Sequence, residues 1–144
     1  MPTPKINNKA PIFKGECTGN KNVSLSDFKG KNVVLYFYPK DSTPGCTTEG
    51  QDFRDLKSQF TRANTVIFGL SRESIKSHEK FKKNEKFNFE LISDPDEKIC
   101  KQYANKYKKS MQTICKNICK QYAKTYAKHM QTICNKLCKT YATQ

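Results

Sequence analysis

At 144 residues, 35% hydrophobic and 28% charged, the chain has the length and composition of one globular domain with a core of its own. No apolar run approaches a membrane span, and Met1–Asn8 has no apolar stretch of the kind a secretory leader needs, so neither a membrane nor a secreted protein is expected. The net charge of +14 is uneven: residues 1–97 carry 16 Lys and Arg against 13 Asp and Glu, whereas residues 98–144 carry 11 Lys and no acid.

Residues 10–30 hold short apolar segments at Ile12-Phe13 and Val23-Ser24-Leu25, separated by Gly15, Gly19 and Gly30, which predicts a small hairpin and a loop. Val33–Tyr38 is rich in β-branched and aromatic residues and predicts a buried strand. Pro39 ends it, and Asp41, Ser42, Pro44 and Gly45 supply loop chemistry. From Thr47 to Phe60 the spacing of Phe53, Leu56 and Phe60 predicts a helix, in which Gly50 is a local cost relative to Ala. Cys46 therefore falls at a strand-loop-helix junction, at or just before the first turn. A thiolate there faces unpaired backbone N–H groups and the positive end of the helix dipole, both of which stabilise the anion. A cysteine in an apolar face is usually an inert hydrophobe, but Pro, Gly and Thr place Cys46 on a loop. It reads as a reactive thiol.

Thr65–Leu70 predicts a second buried strand, Ser74 to about Asn84 a helix capped by Ser74 or Ser71, and Phe89–Ile92 a short third strand. Strands alternating with helices argue an α/β protein with a parallel element. His78 sits mid-helix among Lys76, Glu79 and Lys80 and reads as a solvated surface residue, since no second histidine or acidic cluster shares its spacing. Cys17 reads as a packing residue.

From Ile99 the character changes. Residues 99–117 and 118–136 match at 13 of 19 positions, and LCKTYATQ begins a third copy. Apolar residues recur three and four apart throughout, which predicts an amphipathic helix, either continuous over 96–142 at about 70 Å or broken into a packed pair. Cys115, Cys119, Cys134 and Cys138 form a twin Cys-x₃-Cys array, open to a zinc or disulfide reading. The spacing also follows from duplicating one unit, and four-apart cysteines on a helix face pack, so no metal ligands are assigned. Lysines interleaved with Tyr103, Tyr107, Tyr122, Tyr126 and Tyr141 present a solvated basic face, with nucleic acid or an anionic membrane surface as the alternative partner. A duplication with no role of its own is a third reading.

The stretch Pro39-x-x-x-Thr43-Pro44-Gly45-Cys46-Thr47-Thr48-Glu49 resembles the peroxidatic loop of the peroxiredoxin family, and more narrowly that of its bacterioferritin comigratory protein (peroxiredoxin Q) group. Ala10–Phe13, Gly69–Arg72 and Leu91–Asp96 agree, and the resemblance runs from about residue 9 to about Met111. It implies a thioredoxin-like fold over residues 1–111, lacking its last strands, with residues 112–144 continuing the helical repeat. It also implies a cytoplasmic, thiol-dependent peroxidase that uses no cofactor, takes hydrogen peroxide or organic hydroperoxides, and is re-reduced by thioredoxin or another thiol. Cys46 would attack the peroxide, Thr43 would hydrogen-bond it, and Pro39 would shape and desolvate the pocket. Relatives place two more strands, a closing helix and a thiolate-contacting arginine where this chain has its repeat, and Arg54, Arg62 and Arg72 do not match that arginine's position. The expected consequences are a weakened peroxidase and an unpaired edge beside Val33–Tyr38. Gln51 stands where many relatives have a resolving cysteine; Cys100 could resolve Cys46, though a one-cysteine mechanism is more economical. The non-enzymatic alternative is a basic helical module that binds nucleic acid or an anionic surface.

Overall fold

A computed structural model of the chain describes residues 9–103. Two short strands, β1 (Lys14–Cys17) and β2 (Lys21–Ser24), form a hairpin whose turn uses left-handed backbone at Gly19 and Asn20. A 3-10 turn at Leu25–Phe28 leads to β3 (Asn32–Phe37). Two helices follow, α1 (Pro44–Asp55) and α2 (Lys57–Arg62), then β4 (Thr65–Ser71) and α3 (Ile75–Glu85). Strand β5 (Glu90–Ser93) and helix α4 (Lys98–Tyr103) complete the described residues. The sheet order is β2-β1-β5-β4-β3, with β3, β4 and β5 parallel and β1 antiparallel to both its neighbours.

Side-chain alternation sorts the core onto two faces of this sheet. Tyr36, beside Gly69 in the register, faces the crossover helices: its ring stacks on Phe53 of α1 at 4.5 Å, and Phe53 in turn meets Phe60 of α2 at 5.9 Å. Phe81 of α3 joins the same layer through Tyr38 and Phe87. The next residues along each strand point the other way. Phe37 meets Tyr103 of α4, and Phe68 meets Phe28 of the 3-10 turn. α/β order, the strand positions and the Ser74 cap, whose hydroxyl accepts from the Ser77 N–H, all follow the sequence-based expectation.

Three features differ from that expectation. The predicted helix over Thr47–Phe60 starts earlier, at Pro44, a residue pre-set for the first helical position, and breaks at Leu56. Phe53, Leu56 and Phe60 are all buried, so the break does not take them off the core-facing side. His78 is no surface residue: its side chain is fully buried, on the one face of α3 that also buries Phe81. Gly50 is not a mere cost to α1. A Cβ there would lie 2.8 Å from Cε1 of Phe87 and closer still to Cζ, so the absent side chain is what lets α1 close on the aromatic layer. Among the described residues β3 has β4 as its one strand neighbour, and Val33, Val34 and Leu35 are half-buried. Most of the repeat, and with it the four-cysteine array and the basic lysine-tyrosine face, lies outside the described residues.

Gly50→Ala sets two effects against each other. Helix propensity favours alanine by about 1 kcal/mol, while forcing a methyl into a filled core costs about 1–3 kcal/mol. The collision with three atoms of the rigid Phe87 ring decides for overpacking. The variant is expected to unfold at lower urea than the parent chain, and a raised midpoint would show that Phe87 has room to give.

Candidate active site

Cys46 reaches its place through three local steps. The Tyr38 N–H donates to the Leu70 carbonyl at 3.1 Å, carrying the β3–β4 ladder one residue beyond β3, and Pro39 then ends the pairing. Lys40 to Thr43 form a tight loop in which Ser42 takes a left-handed φ of 58°. Thr43, extended at φ −84° and ψ 151°, is the N-cap residue of α1, and Pro44, Gly45 and Cys46 make its first turn. Cys46 is the third helical residue and is buried.

The cap itself is unusual. Thr43 makes no side-chain cap bond; its hydroxyl instead donates to the Lys40 carbonyl at 3.2 Å. Two consequences follow. The hydroxyl proton is committed to Lys40, so the oxygen lone pairs are available to accept from an incoming O–H. The first-turn N–H groups have no Thr43 side-chain oxygen on them, which keeps donors and the positive helix end for charge at Cys46. Thr43 is half-buried beside Cys46 in the sequence of the turn, and Pro39 is exposed at the start of the loop.

Behind the loop lies a polar network that sequence reasoning missed. Asp41 is buried and accepts from the Tyr38 hydroxyl at 2.8 Å and from the Ser77 hydroxyl at 2.6 Å. Nδ1 of His78 lies 2.8 Å from the second carboxylate oxygen, and Nε2 lies 3.2 Å from the Ile92 carbonyl. Burial pushes the Asp41 carboxyl up, but the hydrogen bonds from His78, Ser77 and Tyr38 outweigh it and hold the group below its ordinary 3.8. Burial, then the nearby Asp41 charge, drives the Tyr38 phenol far up, so it stays a donor. The signal available in the sequence was the i,i+3 spacing of His78 and Phe81, with lysines on the other faces of α3.

The remaining candidates are committed elsewhere. Gln51 donates to Glu85 of α3 at 2.9 Å. Arg54 holds Asp55 and the Glu85 carbonyl, Arg72 holds Glu97, and Arg62 is exposed at the end of α2. Cys17 is buried in the sheet, as expected of a packing residue. Cys100 is buried too; its backbone N–H donates to Asp94 at 2.8 Å, and burial together with a thiol hydrogen bond to that carboxylate raises the thiol to about 12. Among the described residues no group of three or more His, Cys, Asp or Glu could hold a metal ion. No helix among them is long and apolar enough to cross a membrane.

A loop cysteine in the first turn of the helix after the first parallel strand, preceded by a threonine turned onto the loop, is accompanied by a family-wide match: residues 6–127 match the AhpC/TSA family. This chain belongs to that family. It is of the Bcp/peroxiredoxin Q type. It is 48% identical over 100 residues to the putative peroxiredoxin bcp of Coxiella burnetii, covering 69% of this chain and 66% of the relative. To peroxiredoxin Bcp of Bacillus subtilis it is 45% identical over 101 residues, covering 70% and 64%. The chain thus spans about two thirds of the length of these curated relatives. Among solved structures, the bacterioferritin comigratory protein of Xanthomonas campestris superposes with a TM-score of 0.62 at 42% identity, over 66% of this chain and 64% of that one. BcpB of Mycobacterium tuberculosis gives 0.64 at 30% identity, over 67% and 63%. These likenesses carry the thioredoxin-like fold inferred from the loop motif.

Two measurements check the site's electrostatics. A thiol at about 12 is ~10⁻⁴ thiolate at pH 8, so iodoacetamide on the native chain is expected to spare Cys100 and reach it only after unfolding in urea. Fast native labelling of Cys100 would contradict its hold by Asp94. Asp41 is depressed in the fold, so its stabilisation is fully present above about 3.8, its unfolded value, and is lost as pH falls through the lower folded value. Asp41→Asn is expected to flatten the acid limb of the stability profile below pH 4, and an unchanged limb would show that other carboxylates dominate it.

Proposed function

We propose that the chain is a thiol-dependent peroxidase in which Cys46 reduces hydrogen peroxide and organic hydroperoxides. The observation that carries this reading is the first-turn placement of Cys46 behind an N-cap threonine whose hydroxyl is turned onto Lys40. The Cys46 thiolate attacks the terminal peroxide oxygen along the O–O axis. An S–O bond forms as the O–O bond breaks, the sulfur is oxidised by two electrons to the sulfenic acid, and the leaving oxygen takes a proton from solvent and departs as water or an alcohol. The Thr43 oxygen accepts the peroxide O–H and aligns it, while first-turn N–H groups offset negative charge as it develops. Pro39, at the loop entrance, shapes the approach to the pocket. The Xanthomonas campestris relative is described with alkyl peroxide reduction activity, which supports organic hydroperoxides as substrates here.

The resulting Cys46 sulfenic acid is returned by an external thiol: a mixed disulfide forms with release of water, and a second thiol frees Cys46. Thioredoxin is the reductant this family type suggests. Cys100, with its thiol at about 12, is a poor internal resolver. Continual re-reduction fits a reducing compartment such as the cytoplasm. With Arg54 and Arg72 engaged by acids and carbonyls, the reading is of a peroxidase that relies on loop and backbone donors. Losing one transition-state donor in other enzymes costs about 10²–10³ in rate.

The test is intact mass after one equivalent of hydrogen peroxide with dimedone present. Wild type is expected to take up a single adduct quickly and Cys46→Ser none. Thr43→Val, which keeps shape but removes the hydroxyl, is expected to slow adduct formation about 10²-fold, with Thr43→Ser largely restoring it. Labelling that survives Cys46→Ser would refute the assignment and turn attention to the lysine-rich repeat as a binding element.

A further inference from the structure

The loop that carries Cys46 is short, partly exposed and has a left-handed residue at its centre, yet it is fastened at one point to the interior. Asp41 is that point. Its neighbours Lys40 and Ser42 are exposed, whereas its own carboxylate is buried among Tyr38, Ser77 and His78. His78 is itself fixed from the far side by the Ile92 carbonyl of β5, the strand next to β4. Nδ1 of His78 faces the Asp41 carboxylate at 2.8 Å with the Tyr38 hydroxyl 3.3 Å away, and Nε2 faces the Ile92 carbonyl at 3.2 Å, so the ring is held by polar partners on both sides. The other polar groups around the pair, the Tyr38 and Ser77 hydroxyls, are donors to Asp41.

We propose that Asp41 and His78 form a buried hydrogen-bonded pair that positions the Cys46 loop, with His78 as the post held by β5 and Asp41 as the tether. They are positioning residues: neither is placed on the peroxide. The pair ties the loop to the sheet from behind, so the Thr43 hydroxyl and the Cys46 thiol keep their relative placement while the front of the loop stays open to substrate. A network serving stability alone could sit anywhere in the interior; this one reaches the loop at a residue two positions before Thr43 and five before Cys46. The effect on rate rests on the peroxidase reading above, but the effect on the loop does not.

Two readouts on the full chain test it. Native-state amide exchange is expected to quicken about tenfold or more in residues 40–46 of His78→Gln while β4 and β5 amides keep their wild-type rates. Tyr38→Phe removes one hydroxyl and leaves the packing; it is expected to quicken the same amides about three- to tenfold, and it serves where His78→Gln does not fold. Peroxide-dependent dimedone labelling of Cys46 is expected to fall about 10- to 100-fold in the variants. Loop amides that stay at wild-type rates, or that quicken only together with the whole sheet, would overturn the tether. A wild-type chain inert to peroxide but with selective loop loosening would refute the peroxidase reading and leave the tether standing.

Discussion

The stacking of Tyr36 on Phe53 is the contact on which the arrangement of this domain depends. It joins the second-last residue of β3 to α1, and so fixes the angle at which the helix leaves the sheet. A helix held there has its first turn placed within a narrow range, because 3.6 residues per turn leave little slack over the two turns between Phe53 and Cys46. Burying two aromatic rings against one another is worth several kcal/mol in area alone, with a further ~1 kcal/mol from ring geometry. The small residues around it serve the same contact. Gly69 makes room for the Tyr36 ring and Gly50 for Phe87, each where a Cβ would collide at under 3 Å.

Onto this frame the loop adds chemistry of a different kind. Its front is polar and partly open: Thr43 points at Lys40, Pro39 is exposed, and the first helical turn presents donors. Its back is anchored by charge and hydrogen bonds in the interior. A buried polar network of this kind is weak evidence for added stability, since desolvation offsets much of its attraction, but leaving one buried partner unsatisfied costs about 1–3 kcal/mol. Such a network suits a loop that has to hold one geometry without itself being packed in hydrocarbon.

The sulfur groups divide in the same way. Cys17 lies in the sheet and Cys100 in α4, where burial raises both thiols and, for Cys100, the Asp94 carboxylate adds to it. Cys46 differs by its surroundings and not by exposure. All three described cysteines are buried, and Cys46 and Cys100 are each the third residue of a helix, but at Cys100 the Asp94 carboxylate takes the backbone N–H, whereas the Thr43 side chain leaves the turn at Cys46 uncapped.

Local signals in the sequence determined much of this. The β-branched run Val33–Tyr38, the Pro and Gly punctuation after it and the spacing of Phe53, Leu56 and Phe60 depend on neighbours a few residues away, and they are enough to place Cys46 at its junction without reference to any distant residue. The loop motif carried the family and the fold with it. What local signals could not contain was the role of residues whose partners lie far along the chain. His78 is surrounded in sequence by lysine and glutamate and looks solvated; only the packing of α3 against β5 turns it inward, 37 residues from Asp41 and 14 from Ile92. Gly50 looks like a weakness in a helix until Phe87 closes on it. Helix, strand and turn follow from short-range sterics and periodicity, whereas the worth of a buried charge or a missing side chain is set by the surfaces that tertiary packing brings against it.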